Sequence, residues 1–172
     1  MEDLQAADPR TIGPYRALSR VGTGGMGVVF LVENESGSRF ALKLLRPELA
    51  DDAGFRSRFR REVEAARRVG GVCNARYLDA DLDSEHPYLV TEYVEGGSLL
   101  EFVSEHGPLA GDQLIGLAVG LAEALVAMNA AGVVHRDLKP SNVLMAPTGP
   151  KVVDFGVAHA TDGTALTQTG FI

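Results

Sequence analysis

Only one cysteine, Cys73, occurs among 172 residues. That excludes an intramolecular disulfide and any cysteine-cluster metal site, and it suits a reducing compartment. The expected role of Cys73 is a buried structural thiol. Positive charge is also scarce: 16 basic side chains against 23 acidic ones leave a formal net charge of −7. This is the wrong sign for a protein that binds nucleic acid or an anionic membrane. Met1-Glu2-Asp3-Leu4-Gln5 is acidic where a secretory leader would be basic and then apolar, so the expected location is the cytoplasm, either alone or as the cytoplasmic domain of a membrane-anchored full-length protein. No internal repeat or low-complexity stretch is present. Lysine is rarest of the charged types. Only Lys43, Lys139 and Lys151 interrupt a basic set otherwise made of arginine, so each invites a specific explanation. Lys151, beside a short strand, reads as a solvated strand end.

An apolar share of 45% and a charged share of 23% fit a soluble domain with a sizeable core. Residues 1–14 read as a flexible lead. Tyr15 to Val32 reads as strand, glycine turn, strand; Arg39 to Leu45, Arg76 to Asp81 and Tyr88 to Val94 read as further strands. Phe55 to Val69 has helical spacing, with Phe55, Phe59, Val63 and Ala66 on one face and arginines on the other. After Gly97 the pattern turns helical. Ser98 is placed to cap a short helix ending at His106, and Asp112 to Ala131 is apolar nearly all round, as a buried helix would be. Gly116 and Gly120 in that helix also match a small-residue pattern of membrane helices. Glu123 in mid-segment argues against a membrane span, and close core packing accounts for the glycines. Short strands at Val143 to Met145 and Val152-Val153 follow. The class is α+β.

Gly22-x-Gly24-x-x-Gly27 lies between two strands. It is therefore not the dinucleotide fingerprint, whose last glycine opens a helix, and no GK[ST] follows to make a P-loop. Its glycines could bring backbone N–H groups close to phosphate oxygens. Phe40-Ala41-Leu42-Lys43 alternates as a strand with Lys43 on the face of Ala41, where the small residue leaves room for a flat ring. Glu62, nineteen residues after Lys43, shares the inward face of the arginine-rich helix and is expected to pair with Lys43. Glu64 points outward. Arginines 56, 58, 60, 61, 67 and 68 read mostly as a solvated face, one or two of them able to hold a phosphate. Finally, His135-Arg136-Asp137-Leu138-Lys139-Pro140-Ser141-Asn142 precedes Asp154-Phe155-Gly156. Two acids and an amide at this spacing can hold a metal–triphosphate against a hydroxyl.

These motifs together resemble a bacterial, actinobacterial-like serine/threonine protein kinase of the eukaryotic type, from Tyr15 to Ile172. The resemblance implies a bilobal fold: N-lobe 15–90, hinge 91–95, and the first part of a helical C-lobe at 96–172. It implies ATP with Mg²⁺, or Mn²⁺, as cofactors and protein substrates as partners. It also allows a kinase-domain homodimer that phosphorylates itself in trans. Asp137 would orient the attacking hydroxyl, Lys139 would neutralise the γ-phosphate, and Asn142 and Asp154 would hold the metal. His135 and Phe155 would supply packing, and Gly156 backbone freedom. Val21, Gly22, Gly24 and Gly27 would bind the nucleotide, the glycines lying over its phosphates. Val29, Ala41 and Leu144 would sandwich adenine, Thr91 would be the gatekeeper, and the backbone of Glu92 and Val94 would meet the adenine edge. Arg136 would receive a phosphothreonine, with Thr167 and Thr169 as the expected sites. The chain is expected to stop within the activation segment. Alone it would then expose an apolar patch, with weak stability and little activity. Rival readings are a pseudokinase or truncated interaction module, and a small-molecule kinase, which would usually carry His-Gly-Asp instead.

Overall fold

Alternation along Phe40-Ala41-Leu42-Lys43 sets the architecture of the first half. The structure is a computed structural model and describes residues 1–50 and 53–155. Strands β1 (Thr11–Ile12), β2 (Tyr15–Gly24), β3 (Gly27–Glu33), β4 (Arg39–Leu45), β5 (Tyr77–Asp81) and β6 (Tyr88–Glu92) form one antiparallel sheet. Their order is β1-β2-β3-β4-β6-β5. Leu42 faces Phe30 on β3 and Val90 on β6, and all three are buried with Val32, Tyr88, Ile12, Tyr15 and Ala17. Side chains alternate between faces along a strand. Ala41 and Lys43 therefore stand on the opposite face, with Val29 across from Lys43 and Thr91 across from Ala41.

The first fourteen residues are not a loose lead. Glu2 and Arg20 exchange backbone hydrogen bonds of 2.9 and 2.8 Å, and Ile12 joins the outer core. Asp8 receives a forked contact from the Arg20 guanidinium, 2.7 Å from Nε and 2.6 Å from Nη2. Polar composition suggested a free segment; a buried carboxylate paired across 12 residues ties it down, and that pairing holds the Asp8 carboxyl below its ordinary range.

Helix α1 is a single turn (Pro47–Ala50), and α2 (Ala53–Ala66) follows. Phe55, Phe59, Val63 and Ala66 are buried at the expected spacing, and the two phenyl rings stack 5.2 Å apart. The same core takes in Tyr77 and Leu89 from the sheet and Ala124, Met128, Val133, Val152 and Phe155 from the second half. Asn74, almost fully buried, donates to the carbonyls of Gly70 and Ala124 (3.1 and 3.2 Å). It thereby joins the end of the α2 region to the long helix.

Helix α3 (Leu99–His106) begins as its sequence suggests. The Ser98 hydroxyl accepts the Glu101 N–H and the Glu101 carboxylate accepts the Ser98 N–H, a reciprocal cap that typically adds about 1 kcal/mol. Helix α4 (Gly111–Ala130) is not buried all round and carries the exposed apolar patch expected above. Leu117, Gly120, Ala124 and Met128 are buried, but Leu114, Ile115, Val119, Leu125 and Val126 are exposed. An all-round apolar sequence buries only the faces that have neighbours, and among the described residues nothing covers this one. The helix is long and apolar enough to cross a membrane by length and composition. Its packed face nevertheless fits a protein core: a Cβ on Gly120 would stand 2.4 Å from Pro150, and Glu123 accepts the thiol hydrogen of Cys73 at 3.4 Å. Cys73 is buried, as expected, and that burial, with Glu123 beside it, raises its pKa.

Strands β7 (Val143–Ala146) and β8 (Gly149–Val152) form a hairpin that pairs Leu144 with Lys151. It is tied on both sides. Val152 exchanges backbone bonds with Cys73 and Ala75 (2.8 and 2.9 Å), and the Met145 N–H donates to Gly97 (2.9 Å).

Candidate active site

His135 is the buried post of the loop that follows α4, at 3% exposure. Its Nδ1 accepts the Asp137 N–H (3.3 Å), so Nε2 carries the proton and donates to the Val153 carbonyl (3.2 Å). Burial pulls the His135 pKa below its ordinary value, against the opposing pull of the bond to the Val153 carbonyl. The sign of the consequence is fixed. The unfolded chain takes up a proton before the folded one does, so this contribution to stability is complete above about pH 6.5 and is lost as pH falls below it. Thermal unfolding from pH 7.5 to 5 should show a midpoint that declines more steeply for the wild type than for His135→Gln. Equal slopes would refute the assignment.

Arg136 and Asp154 adopt positive φ, 63° and 57°, a backbone state uncommon outside glycine and frequent at functional sites. Between them, a short 3-10 turn (Pro140–Asn142) swings the Asn142 amide back to the Asp137 carbonyl (2.9 Å) and carboxylate (3.3 Å). Lys139 Nζ lies 2.7 Å from the same carboxylate. The Lys139 contact above all, with the Asn142 bond adding to it, holds Asp137 below the ordinary carboxylate range. A carboxylate so held is a weak base, better suited to orienting a hydroxyl than to removing its proton early. Val153 N–H donates to the Asn142 carbonyl (3.0 Å), so Asp154 follows at once beside the loop. The Phe155 ring is fully buried, edge-on to Tyr77 at 5.2 Å. The Tyr77 hydroxyl donates to the Phe155 carbonyl.

The sheet supplies the other wall. Val29, Ala41, Lys43 and Thr91 share one face through their pairing. Gly22 pairs with Val29 and Gly24 with Gly27, and Val21 is exposed where the register shifts. The glycines divide by role. A Cβ on Gly27 would lie 1.9 Å from the Leu44 carbonyl, so that glycine permits β3 and β4 to meet; Gly22 and Gly24 have open space above them. Val94 is buried after the end of β6. The Glu92 N–H is taken by the Arg76 carbonyl (2.9 Å), so any adenine contact from Glu92 would be an acceptor's.

One expected contact is absent. Lys43 does not meet Glu62: its Nζ lies 2.9 Å from Asp154 Oδ2, while Glu62 Oε1 accepts from the Arg136 guanidinium at 3.0 Å. The second oxygen of Glu62 is buried and has no hydrogen-bond partner among the described residues. The reason is competition. One carboxylate on α2 has two cations to choose from, and with Arg136 holding it, Lys43 turns to Asp154. Lys151 is a second correction. Far from being solvated, its side chain is 18% exposed and pairs with Glu92. The rarity of lysine in this chain was the available signal for it. On α2, Arg60 meets Asp83 (2.6 Å), and Arg67 lies 3.7 Å from Asp79. Gly156, Thr167 and Thr169 lie outside the described residues.

The family described as protein kinase domain matches residues 15–171. The chain belongs to that family. This kinase chain is 51% identical over its whole length to the probable serine/threonine-protein kinase PkwA of Thermomonospora curvata, covering 23% of that protein. It is 51% identical over 98% of its length to the serine/threonine-protein kinase AfsK of Streptomyces coelicolor, covering 21%. It superposes on a crystal structure of the Mycobacterium tuberculosis PknI kinase domain with a TM-score of 0.74 and 29% identity, covering 90% of this chain and 64% of that one. The chain thus spans under a quarter of these two relatives' length, the N-terminal part of a serine/threonine kinase domain. The expected family and α+β kinase fold are borne out.

Proposed function

We propose that residues 15–155 carry the nucleotide-binding and phosphoryl-transfer side of a protein serine/threonine kinase, which moves the γ-phosphoryl group of ATP to a serine or threonine hydroxyl. The observation that supports this most is the convergence of sheet and loop: Lys43 touches Asp154, whose neighbour is bonded to Asn142, which is bonded to Asp137. Asp137 would orient the hydroxyl, and Lys139, already at its carboxylate, would balance charge on the transferred group. The Asn142 amide oxygen and the Asp154 carboxylate suit a hard cation, Mg²⁺ or Mn²⁺. Among the described residues no cluster of three metal-ligating acids, histidines or cysteines occurs. Two oxygen donors are the set expected where substrate phosphates complete the shell. Such a cation neutralises charge on the β- and γ-phosphates when bound.

The Glu62–Arg136 pair supports reading this arrangement as the resting one. For Glu62 to reach Lys43, Arg136 needs another anion, and a phosphothreonine at Thr167 or Thr169 would be one. After incubation of the full-length enzyme with Mg-ATP, mass mapping should find phosphate on one of these threonines; phosphate elsewhere only would sink the regulatory reading. The unformed Lys43–Glu62 contact also favours a second reading, a module that binds nucleotide without catalysis. No phosphate transferred to any protein, with ATP still bound, would select it.

A further inference from the structure

We propose that Lys151 is a positioning residue for the nucleotide: it holds the Glu92 side chain against the β7–β8 hairpin and so fixes the strand end that meets adenine. The inference rests on the nucleotide-binding reading above. Residues opposite each other in an antiparallel pair project from one face. Lys151 therefore stands beside Leu144, the residue expected to underlie the adenine ring. From there its ammonium contacts Glu92 Oε1, while Arg76 Nε lies 3.5 Å from Glu92 Oε2. Glu92 ends β6, Arg76 directly precedes β5, and Lys151 belongs to the second-half hairpin. The carboxylate is gripped by one cation from each half of the molecule.

The two grips are unequal. The Lys151 and Glu92 side chains are 18% and 21% exposed, whereas Arg76 is 68% exposed, and exposed pairs contribute little. Lys151 therefore carries most of the tie. Without its charge, the Glu92 carboxylate keeps only the exposed arginine; the backbone of β6 stays paired, but its end loses its side-chain tie to the hairpin that carries Leu144. The phosphate side of the cleft is built from other residues, Lys43, Asp154 and Asn142, none of which contacts the Lys151 side chain among the contacts described. Loss of Lys151 should loosen the adenine end and spare the phosphate end.

The test is calorimetric titration of the full-length kinase and its Lys151→Met and Lys151→Arg variants with adenosine, Mg-ATP and Mg-tripolyphosphate. Lys151→Met should weaken adenosine and ATP by about tenfold, as for loss of a half-buried charged hydrogen bond, while tripolyphosphate binding holds. Steady-state kinetics should show the loss in KM for ATP, with kcat within about twofold. Lys151→Arg, which keeps the charge, should restore most of the affinity. Unchanged adenosine binding in Lys151→Met overturns the proposal. So does an equal loss of adenosine and tripolyphosphate accompanied by a lower thermal midpoint, since that marks general loosening. A wild type that binds tripolyphosphate but neither adenosine nor ATP would defeat the nucleotide reading itself, and this inference with it.

Discussion

Asp137→Asn should lower kcat by about 10²–10⁴-fold, the usual span for a positioned acid–base group, and leave the KM for ATP within about twofold. The substitution is nearly isosteric. The backbone bond from residue 137 to His135 Nδ1 and the Asn142 bond to the 137 carbonyl use main-chain atoms, so the loop keeps its shape. What goes is the charge that Lys139 meets at 2.7 Å and the oxygen that would align a hydroxyl. Initial rates on a peptide substrate decide the matter. A variant within about tenfold of wild type would remove Asp137 from the chemistry and return weight to the non-catalytic reading.

Lys43→Met should cost about 10²–10³-fold in kcat/KM, the scale of losing one preorganised donor to developing charge. The geometry makes the loss specific. In the structure Lys43 neutralises Asp154 at 2.9 Å. On the proposed reading the same ammonium would leave that carboxylate to meet phosphate and Glu62, so methionine would remove both partnerships at once. Lys43→Arg should not rescue it, because a planar fork is a poor replacement for a compact ammonium on a strand packed between Val29 and Leu89. Paired kcat/KM values for the two variants test this, and near-wild-type turnover by either would contradict it.

How much of this was legible in the sequence varied with distance along the chain. Strand alternation at residues 39–45, the Ser98 cap and the loop around Asp137 depend on neighbours a few residues away, and each appears where the pattern placed it. The partner of Glu62 was not legible. Spacing put Glu62 on the inward face of α2, but which cation it meets depends on where that helix lies against a loop 74 residues later. The same holds for Lys151, whose partner is 59 residues back, and for the lead, where Asp8 looked solvated until Arg20 met it. On α4 composition reports how apolar the helix is, whereas burial requires a second surface, and only one of its faces has one.

The hairpin of residues 143–152, tied to residues 73–75 on one edge and to Gly97 on the other, carries a consequence in time. Val152 and Phe155 close the same core as Phe55 and Phe59, so the sheet, whose last strand ends at Glu92, waits for the later hairpin before its inner face is sealed. Such non-local closure slows folding and leaves collapsed intermediates with unsealed apolar surface. On the ribosome, residues 15–92 should therefore remain sensitive to protease until the hairpin has emerged. Protection should then arrive in one step for the sheet, α2 and the catalytic loop together.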